Sequence, residues 1–181
     1  MRLVSAVIAA SFLFGFGANS FSAASQPVKT KFLNAKQQEV GDATVTETPN
    51  GVLIRVNLRR NAEGISPGTH AIHIHEVGSC EPPFKSAGGH FNPTNKKHGF
   101  LDKQGKHAGD LPNIHVTENA PLTVEFLVPQ LSLSGGKASL LDGDGSAIVI
   151  HQAADDYRTD PAGDAGDRVA CAVLERSSGA K

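Results

Sequence analysis

Several features that mark common protein classes are scarce in this 181-residue chain. It has no tryptophan, one tyrosine and one methionine, and only 6% of its residues are aromatic. The 17 Lys and Arg residues do not outnumber the 18 Asp and Glu residues. Because no basic stripe or aromatic stacking motif appears, the sequence argues against a nucleic-acid partner. No segment of the mature sequence shows a convincing helical period, which excludes a helical bundle.

The chain also lacks an apolar run long enough to span a bilayer. Residues 1–24 carry one charge, at Arg2, followed by an apolar stretch that serine and glycine interrupt, well short of the ~20 residues of a membrane helix. Ser22 and Ala24 suit the small-residue positions of a signal-peptidase site. We therefore predict a signal peptide over residues 1–24, cleaved after Ala24, and a single mature domain over residues 25–181 with no stable membrane anchor.

Cysteine is nearly absent, with Cys80 and Cys171 the only two. Export places the chain in an oxidising compartment, where two cysteines tend to pair. Two thiolate ligands for zinc or copper are the alternative, but neither cysteine has a CxxC partner. The sequence favours a disulfide.

From residue 25 onwards the sequence consists of short segments in which apolar and polar residues alternate, separated by turn residues. Together they predict an all-β fold of about eight antiparallel strands, a Greek-key flattened barrel or Ig-like sandwich. Two stretches rich in Gly, Pro and Asp, residues 76–113 and 152–167, break the rhythm and predict long functional loops. The eight predicted strands are Val28–Leu33, Ala43–Thr48, Val52–Leu58, Thr69–His75, Ile114–Thr117, Leu122–Val128, Ala147–His151 and Arg168–Leu174.

Histidine is the residue that is plentiful. All eight histidines fall between positions 70 and 151. In the run from His70 to His75, strand alternation directs His73 and His75 to one face and His70 to the other. Three further histidines lie in the first predicted loop, and His151 precedes the second. This density predicts a metal site, and more than one ion.

Ordered motifs carry a family resemblance. The segments GTHAIHIHEVGSC, SAGGHFNP, KKHG, HAGDLPN, IVIH and AGDRVAC follow one another between about Thr44 and Leu174. In this order they resemble a copper/zinc superoxide dismutase of the bacterial exported type. The resemblance implies one copper and one zinc per subunit. It assigns copper to His73, His75, His90 and His151, and zinc to His90, His98, His107 and Asp110, with His90 as the bridge.

The resemblance also assigns roles outside the two ligand sets. Asp155 would link a copper-ligand and a zinc-ligand histidine, and His70 would brace the scaffold. Arg168 would lie beside copper and attract a small anion, so that Arg168 and His90 are the expected catalytic residues. His115 lies outside the motifs and is expected to be an ordinary strand or surface residue.

The implied activity is conversion of superoxide to dioxygen and hydrogen peroxide by cycling between Cu(II) and Cu(I), with a structural zinc. The resemblance further implies periplasmic export and a monomer or homodimer. One alternative is a non-enzymatic copper-binding or copper-delivery protein on the same fold. Others are a zinc-stabilised Ig-like adhesion domain, which leaves His73, His75 and His151 without a purpose, and a hydrolytic zinc site.

Overall fold

A computed structural model describes residues 26–175 of the chain. The predicted signal peptide, residues 1–24, lies outside the described residues. Within residues 26–175 the regular structure is nine strands and one 3-10 turn, Lys85–Ala87. The strands are β1 (Val28–Asn34), β2 (Glu39–Thr48), β3 (Gly51–Leu58), β4 (Gly68–His70), β5 (Ile72–His75), β6 (Ile114–Val116), β7 (Leu122–Val128), β8 (Ser146–His151) and β9 (Arg168–Leu174).

The strands form one curled antiparallel sheet and one small strand pair. The large sheet has the order β5-β8-β9-β1-β2-β3-β7, and β4 pairs with β6. All of these pairs are antiparallel. The all-β prediction is therefore confirmed, and the predicted bounds of β7 and β9 match the observed bounds.

Two strand predictions were wrong: β2 begins at Glu39 rather than at Ala43, and Thr69–His75 is not one strand. The segment Thr69–His75, predicted as a single strand, is interrupted at Ala71 and contributes to both sheets. His70 pairs with Ile114 in the small sheet, whereas Ile72 pairs with Ile150 of β8. Ala71 donates its N–H to Ala153 and accepts from the His151 N–H. These contacts, one to Ala153 in the second loop and one to His151 of β8, hold the corner, and residues 26–175 contain nine strands rather than about eight.

The buried faces follow the sequence alternation where one side of the sheet meets solvent. In β3, Val52, Ile54, Val56 and Leu58 are buried and the intervening residues are not. By contrast, every residue of β5 and β8 is buried. Ile148 and Ile150 face the main core, while Ala147 and Val149 pack in a second cluster with Phe84 and Cys171. Both faces of this edge of the sheet are therefore covered.

The first predicted loop covers the outer face, because its residues Cys80, Phe84 and Ala87 pack in one cluster with Ala147 and Val149. No strand of the large sheet falls within residues 76–113 or 152–167. The first loop crosses the outer edge of β5 through isolated bridges that pair His73 with Asp110 and His75 with His90. The predicted disulfide joins Cys80 to Cys171, with a Cα–Cα distance of 5.7 Å, and ties this loop to β9. No helix in residues 26–175 has the length and hydropathy of a membrane span.

Candidate metal centre

Four histidines form the first candidate metal group. His73 and His75 lie on β5, His151 ends the neighbouring strand β8, and His90 is brought in by the first loop. All four are buried, and one ring nitrogen from each lies within 4.8 Å of the others. Sequence alternation alone brings together only His73 and His75. The pairing of β5 with β8 adds His151.

Each of these rings has one nitrogen held by the protein and one that faces its neighbours. His73 Nε2 lies 2.8 Å from Asp155 Oδ2, and His90 Nδ1 lies 2.8 Å from Asp110 Oδ1. The opposite atoms, His73 Nδ1 and His90 Nε2, are buried without a hydrogen-bond partner, the only two such side-chain atoms in residues 26–175. Since buried polar groups are nearly always paired, both nitrogens are available to a ligand.

The tautomers of His75 and His151 also leave one ring nitrogen available to a ligand. His75 Nδ1 lies 3.0 Å from the Gly88 carbonyl oxygen, and His151 Nδ1 lies 3.4 Å from that of Gly166. A carbonyl only accepts, so each Nδ1 carries the hydrogen and each neutral ring has a lone pair on Nε2. These two Nε2 atoms are 3.4 Å apart. Two lone pairs at this distance repel each other unless a cation lies between them.

The electrostatics keep these rings neutral. Burial, followed by repulsion from His90 and Arg168, lowers the pKa of His75 to about 2. Burial, followed by repulsion from His73 and His90, lowers the pKa of His151 to about 3. Metal binding requires an unprotonated imidazole nitrogen. At neutral pH both rings are therefore ready to bind.

The second candidate group converges on one carboxylate oxygen. Asp110 Oδ1 lies 2.8 Å from His90 Nδ1, 3.1 Å from His98 Nδ1 and 3.2 Å from His107 Nδ1. Asp110 Oδ2 accepts the backbone N–H groups of Gly99 and His107. Burial alone would raise the pKa of Asp110, but the hydrogen bonds from the histidines hold it far below its ordinary value. Three imidazoles and one carboxylate form a closed tetrahedral set, the type that zinc prefers in structural sites.

Two residues join the groups. His90 belongs to both, with Nε2 towards the first and Nδ1 towards the second. Asp155 spans them on another side, since Oδ2 lies 2.8 Å from His73 Nε2 and Oδ1 lies 2.9 Å from His98 Nε2. These Nε2 atoms are opposite the Nδ1 atoms that face the groups. Asp155 is therefore a hydrogen-bonded link between two rings rather than the centre of a third ion site.

Two further predicted residues lie beside the first group. His70 is buried outside both groups, with Nδ1 2.8 Å from the His151 carbonyl oxygen and Nε2 2.8 Å from the Ser66 carbonyl oxygen; its role as a brace stays a prediction. Arg168 lies opposite His151 across the β8–β9 pair. Its two terminal nitrogens donate to the carbonyls of Phe84 at 2.6 Å and Gly88 at 2.7 Å. The Gly88 carbonyl oxygen thus accepts hydrogen bonds from both Arg168 and His75.

His115, expected to be ordinary, is exposed on β6 and its Nδ1 contacts Thr69 Oγ1. Sequence reasoning missed other residues near the metal groups: the Phe84 and Gly88 carbonyls, the side chain of Asn113, and Tyr157. Asn113 closes the quoted motif HAGDLPN, which was the one signal available for it. The carbonyl contacts and Tyr157 had no sequence signal, since both depend on how two loops pack together.

Comparisons with known proteins agree with this geometry. The family model described as copper/zinc superoxide dismutase (SODC) matches residues 39–174. Superoxide dismutase [Cu-Zn] 1 of Aquifex aeolicus is 48% identical over 163 residues, which cover 86% of this chain and 92% of the relative. Superoxide dismutase [Cu-Zn] of Caulobacter vibrioides is 45% identical over 142 residues, which cover 76% of this chain and 79% of the relative.

Solved structures give the same result. A SOD-like protein from Bacillus subtilis superimposes with a TM-score of 0.75 at 41% identity, covering 81% of this chain and 97% of that one. Cu/Zn superoxide dismutase from Brucella abortus superimposes with a TM-score of 0.65 at 27% identity, covering 83% of this chain and 100% of that one. The paired histidine groups, the curled β fold and the matched sequence lead to one conclusion: this chain belongs to the copper/zinc superoxide dismutase family.

Proposed function

We propose that the first group binds copper through His73, His75, His90 and His151, and that the second binds zinc through His90, His98, His107 and Asp110. The observation that carries the proposal is the pair of buried nitrogens without partners, His73 Nδ1 and His90 Nε2. Imidazole suits both metals, and the set with a carboxylate suits closed tetrahedral zinc. One ion of each metal per chain follows.

The chain is a superoxide dismutase that converts superoxide to dioxygen and hydrogen peroxide, with copper and zinc as its cofactors. When bound, copper supplies the one-electron redox chemistry of the two half-reactions. His90 Nε2 is the atom proposed to hold a proton after the first half-reaction and to deliver it in the second. In the metal-free protein Asp110 Oδ1 lies 2.8 Å from the other nitrogen of the same ring, Nδ1, which keeps Nε2 directed at the first group. A zinc ion held by His90 and Asp110 would keep the ring in that orientation.

Arg168 is proposed to guide the substrate. The chain carries a formal net charge of −1, so attraction of an anion has to come from a local positive charge. The Arg168 guanidinium is half-buried and fixed by two backbone carbonyls. Its charge also contributes to the lowered pKa values of His75 and His151, so its field reaches the copper group. A fixed cation beside the reaction centre can raise association rates by roughly 10–10³-fold.

We further propose that the chain is exported to the periplasm, that residues 1–24 are removed after Ala24, and that the mature protein works without a membrane anchor as a monomer or homodimer. The charged and apolar pattern of residues 1–24 supports export. So does the disulfide between Cys80 and Cys171, because disulfides persist in oxidising compartments.

The test compares two histidine substitutions in protein loaded with copper and zinc. His90→Ala should lower kcat/KM for superoxide by about 10²–10⁴-fold, the contribution typical of a positioned acid or base. His115→Ala is the matched control, since His115 is exposed and outside both groups; it should leave the rate unchanged. Full activity in His90→Ala would contradict the proposed role of the bridge. Bound copper in the native chain without turnover would favour the copper-binding protein instead.

A further inference from the structure

We propose that Asn113 and Tyr157 are positioning residues, which hold the Asp155 carboxylate between the two metal groups. The inference rests on the proposed metal assignment, because Asp155 contacts one histidine of each group. The Asn113 side chain is bonded to the Asp155 backbone and the Tyr157 hydroxyl to the Asn113 N–H, so neither side chain is directed at a metal group. Their contribution is a closed ring of hydrogen bonds around Asp155.

The ring begins with the Asn113 side chain. Its Nδ2 donates to the Asp155 carbonyl at 2.9 Å, and its Oδ1 accepts the Asp155 N–H at 2.9 Å. One amide thus satisfies both backbone groups of Asp155. The Asn113 backbone N–H then donates to the Tyr157 hydroxyl at 2.8 Å. The Tyr157 N–H donates to Asp155 Oδ1 at 2.6 Å, which closes the ring of three residues and four hydrogen bonds.

Tyr157 is held in a conformation that a tyrosine rarely adopts. Its φ is +62°, in the left-handed region, where a bulky side chain is strained and persists only when its surroundings fix it. The surroundings here are the segment that carries His98. The Tyr157 carbonyl accepts the Leu101 N–H at 3.0 Å, and its ring meets Phe100 edge-on with centroids 5.3 Å apart. Tyr157 therefore joins the first loop to the second.

Close packing leaves this arrangement little freedom. A Cβ on Gly99 would lie 2.1 Å from the Tyr157 carbonyl oxygen, so only glycine allows the two loops to approach this closely. Asp155 has both carboxylate oxygens occupied, Oδ2 by His73 and Oδ1 by His98 and Tyr157. A shift of the Asp155 backbone would therefore disturb both rings at once. Residues that orient the rings of metal ligands influence metal affinity. Asp155 orients the rings of His73 and His98, and Asn113 and Tyr157 in turn hold Asp155 in place.

The first test removes the hydroxyl oxygen of Tyr157 and measures whether the ring of hydrogen bonds around Asp155 is present. In the metal-free protein, Tyr157→Phe should raise hydrogen exchange at the Asn113 amide by about 3–10-fold, the value of one ordinary hydrogen bond. Thr48→Val is the matched control, because the Thr48 hydroxyl also accepts a backbone N–H, that of Asn50, in the β2–β3 hairpin. It should leave Asn113 unchanged. Unchanged exchange at Asn113 in Tyr157→Phe would overturn the proposal.

The second test asks whether the effect passes through Asp155. In protein loaded with both metals, Tyr157→Phe should raise the zinc dissociation constant by about 3–10-fold and shift the copper EPR hyperfine splitting. In an Asp155→Asn background the same substitution should add little to either quantity, because the Asp155 carboxylate that transmits the effect to His73 and His98 is already absent. Equal effects in both backgrounds would indicate general loop loosening and overturn the proposal. Failure of the native chain to bind copper and zinc would instead contradict the proposed function, while the exchange experiment still decides whether the ring exists.

Discussion

Removal of the disulfide is expected to cost a large part of the stability of this protein. Cys80 and Cys171 are separated by 91 positions. In the chain-entropy treatment a closed loop of this size stabilises the folded state by about 4.6 kcal/mol at 25 °C. The double substitution Cys80→Ala and Cys171→Ala should therefore lower the free energy of unfolding of the metal-free protein by about 4–5 kcal/mol. That is a large fraction of the 5–15 kcal/mol typical of a domain.

The same substitution should reduce turnover beyond any loss of metal. The carbonyls of Phe84 and Gly88, which accept from Arg168, lie in the loop that the disulfide anchors to β9. Without that anchor the guanidinium loses its fixed position. Urea unfolding of metal-free protein measures the first effect, and superoxide consumption per bound copper measures the second. Thiol reduction of the native chain is the control and should reproduce both. A loss below about 1 kcal/mol with full activity per copper would show that the disulfide neither stabilises the fold to this extent nor fixes Arg168.

Three further predictions follow from the site. Arg168→Ala should lower kcat/KM for superoxide by about 10-fold and weaken the dependence of kcat/KM on ionic strength. Arg168→Lys should be intermediate, because an ammonium group cannot donate to both carbonyls in the geometry of the guanidinium. An unaltered salt dependence in stopped-flow assays would contradict this. Gly163→Ala should weaken zinc retention and destabilise the protein by about 1–3 kcal/mol, because its φ is +67° and a Cβ would lie 1.9 Å from Asp155 Oδ1. Gly143→Ala, with no atom within 4 Å of its Cβ, is the neutral control. Metal-free protein should be most stable near pH 7, because three histidine pKa values are lowered and one is raised from the unfolded value of about 6.5. Below that pH the free energy of unfolding falls, because the unfolded chain binds protons at three histidines that stay neutral in the folded chain. Burial lowers the pKa values of these rings, His75 to about 2, His90 to about 4 and His151 to about 3. Above it, stability falls as pH rises through the pKa of His98, which burial opposes but hydrogen bonds with Asp110 and Asp155 raise to about 9. Urea unfolding between pH 4.5 and 9 checks this, and a steady rise in stability from pH 6.5 to 4.5 would contradict it.

The strands were predictable where one face meets solvent and the other meets the core. Alternation in Val52–Leu58 and the apolar content of Leu122–Val128 located β3 and β7 closely. The interruption at Ala71 was not predictable, because it depends on backbone hydrogen bonds to Ala153 and His151, which are 82 and 80 positions away in the sequence. Periodicity reports the local environment of a segment and carries no information about such partners.

The candidate site divides in the same way. Histidine density and motif order indicated which residues form the two candidate groups. Strand parity predicted that His70 lies apart from His73 and His75, but in the structure they are apart because His70 belongs to β4 and the other two to β5. The supporting contacts were beyond reach: the Gly88 carbonyl shared by His75 and Arg168, and the ring that Asn113 and Tyr157 form around Asp155. Both depend on the packing of long loops without periodicity. Tyr157 in particular adopts a positive φ that its residue type disfavours.

Two metal ions that share His90 are proposed to support superoxide turnover together. Metal analysis of the purified, metal-loaded protein, with superoxide consumption measured on the same sample, tests it most directly. We expect one copper and one zinc per chain and a rate far above that of the same concentration of free copper. A fully copper-loaded protein with a rate no higher than that of free copper would show that the paired metal site does not support turnover.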